Sequence, residues 1–168
     1  MSWPNKETIA PGVTDMLRVN MSLKAGEKLL IISDLPHVHD WQTVDRRDLA
    51  DMLERAMLGR SIADIAREYI ADLDVRFLPF PATGGHGTEP DEATAAQMQE
   101  ADVLICLTHY SMSHTNAREN ATQAGVRIAS MPALPTRCLL PGGRWLLITN
   151  RSPTIVRNLP TYSPQPTR

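Results

Sequence analysis

The sequence predicts an α/β fold, a largely parallel sheet with flanking helices, followed by an irregular Pro/Arg-rich tail. Three observations predict it. Short continuous apolar runs recur at Lys28–Ser33, Val75–Phe80, Val103–Leu107 and Val126–Ser130, as in strands covered on both faces. Segments of helical periodicity separate them. Glycine and proline punctuate the junctions, and such alternation gives parallel pairing through right-handed crossovers.

Val13–Lys24 places Val13, Met16, Leu17 and Met21 on one helical face, closed by Ala25-Gly26. Lys28–Ser33 (KLLIIS) is the first strand. Asp45–Ile70 then carries Leu49, Met52, Leu53, Ala56 and Met57, followed by Ile62, Ile65, Ala66 and Tyr69, at helical spacing. Gly59 is expected to bend or divide this helix, with Ser61 and Asp64 capping its second part. The strand Val75–Phe80 ends at Pro79 and Pro81. Glu89–Glu100 is an alanine-rich helix with Pro90 suited to its first turn. After the strand Val103–Leu107 comes a helix over Ser111–Gln123, with Gly125 just past its end, and then the strand Val126–Ser130. Arg144–Asn150 (RWLLITN) is a candidate further strand.

At 168 residues the chain is about one domain long. A net charge of -2 gives no reason to expect nucleic acid or an anionic membrane as a partner. No run approaches the roughly 20 apolar residues of a membrane span, and MSWPNKETIAPG lacks the basic-then-apolar pattern of a secretory signal. Cys106 lies inside an apolar run, as a small buried hydrophobe would; with only one other cysteine, Cys138, a cytoplasmic setting is expected.

Charge is unevenly spread. All 19 acidic residues lie at or before Glu119, whereas Met131–Arg168 holds seven prolines and five arginines and no acid or lysine. Two units are therefore expected: an α/β domain over 1–132 and an atypical Pro/Arg-rich tail over 133–168. The tail reads either as a segment without a core of its own or as sequence translated out of frame.

Three stretches invite chemistry. His37-Val38-His39-Asp40 follows the first strand with two imidazoles and a carboxylate, residue types that bind divalent metals, although no third ligand stands nearby. Thr83–Thr88 (TGGHGT) is rich enough in glycine to cradle an anion, but it lacks the Lys-Ser/Thr of a phosphate loop. The strongest is Thr108–Thr115 (THYSMSHT), at the carboxyl end of the third strand. Here Ser111 is the expected N-cap, His114 is expected to reach back over the helix start, and Thr108, Ser111, Ser113, His114 and Thr115 form a candidate ligand-binding set for an anionic group. No acid is placed to orient His114, so no catalytic residue is assigned.

The stretch from Ala101-Asp102-Val103-Leu104 into Tyr110-Ser111-Met112-Ser113-His114-Thr115 resembles the aminopeptidase T/S-like family of metallo-aminopeptidases. It continues through Ala117-Arg118, Ala121-Thr122, Ala124-Gly125, Arg127 and Met131-Pro132, with weaker support from Leu23–Ile31, about residues 13–133 in all. The resemblance implies the N-terminal lobe of a two-lobed, dimeric exopeptidase. Its divalent metal ions activate water for hydrolysis of N-terminal residues from peptides, so peptide is the implied substrate and a homodimer the implied assembly. The family's metal ligands lie in its C-terminal half. After Arg137 this chain has no Asp, Glu or His, so no metal ligand is carried over, none is expected to bind, and the chain is expected to be inactive alone. Alternatives are a stand-alone anion-binding α/β module or a lobe of a related metal-dependent ring-cleaving dioxygenase.

Overall fold

The computed structural model describes residues 5–132 and 134–141. Four strands form one all-parallel sheet: β1 (Lys28–Leu35), β2 (Asp74–Pro81), β3 (Val103–Cys106) and β4 (Arg127–Ser130), in the order β2-β1-β3-β4. In register, Leu29 lies between Val75 and Val103, and Val103 faces Arg127 on its other side. The α/β expectation holds, and all four strands lie where the apolar runs put them.

The alternation of side chains along the strands splits the core in two. Leu29, Ile31, Val103 and Ile105 face α1 (Lys6–Asp15) and α3 (Arg46–Tyr69, preceded by the short helix α2, Asp40–Thr43), where Ile9, Val13, Leu17, Leu58, Ile62 and Ile65 are buried. Leu30, Ile32, Leu104 and Cys106 face α4 (Glu92–Gln99) and α5 (Asn116–Gln123), against Met98, Ala117 and Ala121. Each fully buried leucine or isoleucine contributes about 1.5–3 kcal/mol. Burial pushes the Cys106 thiol up to about 12, which leaves it an unreactive hydrophobe. No described helix is long and apolar enough to cross a membrane.

Several boundaries differ from expectation, each for a local reason. The first helix begins at Lys6, capped by Asn5 Oδ1 accepting from Thr8 N–H at 2.8 Å, and it runs through Pro11. A π-helical segment over Met16–Asn20 ends it well before Lys24. Gly59 neither bends nor divides α3. It is a site of close approach, since a Cβ there would lie 2.8 Å from Phe77 Cε2. Ser61 correspondingly caps nothing: its hydroxyl donates to Met57 O at 2.9 Å, while Asp64 pairs with Arg60 and Arg67. Pro79 and Pro81 lie within β2, an edge strand, where proline is tolerated. Pro90 precedes α4, whose N-cap is Asp91, accepting from Thr94 N–H at 2.9 Å. Gly125, with φ of 94°, does follow α5 as expected.

The core also continues past Pro132. A 3₁₀ turn, Thr136–Leu139, packs on α1, and Leu139 is fully buried in the first cluster with Leu134 and Leu140 against it. The candidate strand Arg144–Asn150 and the rest of the tail lie outside the described residues.

Candidate functional site at the carboxyl edge of the sheet

The strand order reverses between β1 and β3, and in open α/β sheets ligands bind beyond the carboxyl ends of strands at such a point. Here the two strands are tied together. Ser33 Oγ donates to Leu107 O at 2.7 Å. Asp34, 1% exposed, accepts from His109 N–H (2.7 Å, Oδ1) and Tyr110 N–H (3.0 Å, Oδ2). A carboxylate thereby supports the loop that follows β3 by its backbone. Burial pushes the Asp34 carboxyl above its ordinary value, against the pull of the two N–H donors.

His109 is gripped a second time. Its Nδ1 lies 2.9 Å from Asp51 Oδ2, an oxygen that also accepts from the Arg55 guanidinium. Burial alone would raise Asp51, but the hydrogen bonds from Arg55 and His109 outweigh it and hold the carboxyl below the usual range. On the other side, His86 Nδ1 accepts from Ser111 N–H at 2.9 Å, and Gly87 N–H donates to Ser111 O at 2.8 Å. The Thr83–Thr88 loop is therefore clipped to the loop after β3 rather than left as an open anion cradle. Tyr110 stands edge-on to both imidazoles, 4.8 Å from His109 and 5.7 Å from His86 between centroids. Its phenol is pushed above its ordinary value by burial and then by Asp40, Asp34 and Asp48. This edge is thus rich in carboxylates.

The five residues singled out from sequence divide. Thr108 is fully buried, its hydroxyl without a partner among the described residues. Ser111 Oγ donates to Ser113 Oγ at 3.0 Å, and Ser113 Oγ lies 3.4 Å from Ser130 Oγ, a line of hydroxyls toward the end of β4. Ser111 is not the helix cap, because α5 starts five residues later. Thr115 is the cap: its Oγ1 accepts from Arg118 N–H at 3.2 Å and donates to Met112 O at 2.9 Å. His114 is exposed, and among the described residues no hydrogen bond ties its side chain to the helix start. That helix start receives a carboxylate from within the chain, as Glu89 accepts from the N–H groups of Asn116 and Ala117. The amides that an external anion would use are taken.

Of the residues that organise this edge, His86 and His109 lie inside stretches that the sequence marks, whereas Asp34, Asp51, Arg55 and Glu89 were not singled out. One signal was available: Asp34 is a lone acid closing an apolar strand at its carboxyl end, where isolated charge calls for a partner.

Most of the donors at this edge are engaged by the chain itself. His86 uses Nδ1 as an acceptor, so its proton sits on Nε2 and no lone pair remains there for a metal. Both Asp34 oxygens are engaged by N–H groups, and Asp51 faces a guanidinium. His37, His39 and Asp40 form a self-contained turn, in which Asp40 Oδ2 accepts from His37 N–H at 2.7 Å and His37 Nδ1 from His39 N–H at 3.3 Å. Among the described residues no three His, Cys, Asp or Glu side chains converge. Compared with protein-family models, curated proteins and solved structures, the chain matches none of them.

Proposed function

We propose that the α/β domain is the N-terminal lobe of a metal-dependent aminopeptidase-like protein, one that hydrolyses N-terminal residues from peptides, and that it contributes the substrate-facing edge rather than the metal. One observation carries this reading. The segment bearing the resemblance, Thr108–Thr115, forms the loop held by buried Asp34 over the switch point, on an edge where Asp40 and Asp48 stand near Tyr110 and Asp51 meets His109. Such a carboxylate-lined edge suits the ammonium group of a peptide's free terminus. The donor set described above supports placing the metal elsewhere in the working protein.

The test is turnover. Purified chain supplied with zinc, manganese or cobalt ions is expected to release no p-nitroaniline from L-leucyl-p-nitroanilide above a metal-only blank. Robust metal-stimulated release that survives repurification would sink the reading of this domain as a lobe without its own metal.

A further inference from the structure

We propose that Asp51 and His109 form an acid–base pair at the carboxyl edge, with His109 Nε2 accepting a proton from water that attacks an amine-bearing acyl ester. The inference goes beyond the lobe reading, since it invokes only these side chains and water.

Geometry fixes the tautomer. The Asp51 carboxylate is an acceptor, so the 2.9 Å contact places a proton on His109 Nδ1 and leaves the lone pair of the neutral ring on Nε2. The ring is held by its backbone bond to Asp34 and by edge-on contact with Tyr110. The His109 side chain is 18% exposed, so it is packed yet still reaches solvent. Arg55, whose side chain is 8% exposed, acts through Asp51 as a positioning residue by keeping its carboxyl ionised. A carboxylate hydrogen-bonded to a partly exposed imidazole supplies the parts of a general base oriented by an acid.

Charge selects the substrate class. Asp51 also borders a shallow open depression on α3 with Arg47, Asp48, Ala50 and Glu54, so three of its five lining residues are acids. An ammonium-bearing acyl compound is favoured over an anionic one. In the step, the water oxygen bonds to the acyl carbon as its proton passes to Nε2. The ester C–O bond then breaks, and the proton passes from Nε2 to the departing oxygen, giving carboxylic acid and alcohol.

The probe is L-alanine p-nitrophenyl ester, with p-nitrophenyl succinate as the anionic comparison. Wild type is expected to hydrolyse the alanine ester faster than the succinate, after each is corrected for its uncatalysed rate. His109→Ala should lose about a hundredfold in rate, Asp51→Asn should lose a comparable factor with partial rescue in Asp51→Glu, and Gln99→Ala, exposed on α4, should match wild type. Equal rates for wild type and His109→Ala would overturn the proposal. A measurement on unaltered protein guards against misfolded variants: the ¹⁵N shifts of the His109 ring should show Nδ1 protonated and Nε2 bare, and the reverse tautomer would also overturn it.

Discussion

Asp34→Ala is expected to cost about 3 kcal/mol in urea unfolding, the largest effect of any single carboxylate in the chain. The substitution leaves the N–H groups of His109 and Tyr110 without their acceptor at a nearly inaccessible site. Each such unsatisfied donor costs about 1–3 kcal/mol. Asp34→Asn keeps the shape but sets an NH₂ against one of the two N–H donors, so about half that loss is expected. A loss below about 1 kcal/mol in Asp34→Ala would mean that the loop after β3 does not hang on this carboxylate.

The same residue gives a pH signature opposite to the usual one. Because the folded Asp34 carboxyl lies above its ordinary 3.8, the stability it contributes is fully present below that value. It is lost as pH rises through the raised folded value. The gap between wild type and Asp34→Asn should therefore widen as pH falls. Asp51 and Glu27, both held below their ordinary values, run the other way and lose their contribution as pH falls through the folded values. They are common to both proteins and cancel in the difference. A gap that narrows on acidification would show that the N–H bonds outweigh burial.

Gly12→Ala is expected to destabilise by about 1–2 kcal/mol, although alanine is the better helix former by about 1 kcal/mol. An added Cβ would lie 2.5 Å from Leu139 O and 3.1 Å from its carbonyl carbon. Backbone cannot swing aside as a flexible side chain can, so the turn Thr136–Leu139 must lift from α1. Leu139, now fully buried, would be uncovered, and neighbouring Cys138 should react faster with a thiol reagent. A gain in stability, with unchanged Cys138 reactivity, would mean that this turn does not pack on the helix. The sign decides whether the core extends beyond Pro132.

What the sequence disclosed follows from the range of the interactions. The central strands were legible because burial on both faces writes a continuous apolar run in β1 and β3, whereas the half-buried edge strand β4 was marked mainly by the glycine before it. The start of α1 was hidden because Pro11-Gly12 looks like a break, whereas Gly12 is there to admit the Leu139 backbone. Gly59 misled for the same reason: a small residue that admits Phe77 carries the same letter as one that ends a helix. The site was legible only in part. Thr108–Thr115 was located from its place after an apolar strand, but its partners Asp34, Asp51 and Glu89 stand 75, 58 and 27 positions from the groups they bind. No periodicity records contacts over such separations. Glu89 shows the consequence, since a helix start that favours an anion in sequence is already served by the chain's own carboxylate.

The central claim is that the carboxyl edge receives the amino end of a peptide. Backbone ¹H–¹⁵N spectra recorded while adding Leu-Gly-Gly, and in parallel its N-acetylated form, test it most directly. The free-amine peptide is expected to shift the amides of 108–115 and of 37–41 in a saturable way, and the acetylated peptide to leave them in place. Equal shifts from both peptides, or shifts confined to the opposite end of the sheet around Lys28 and Asp74, would contradict it.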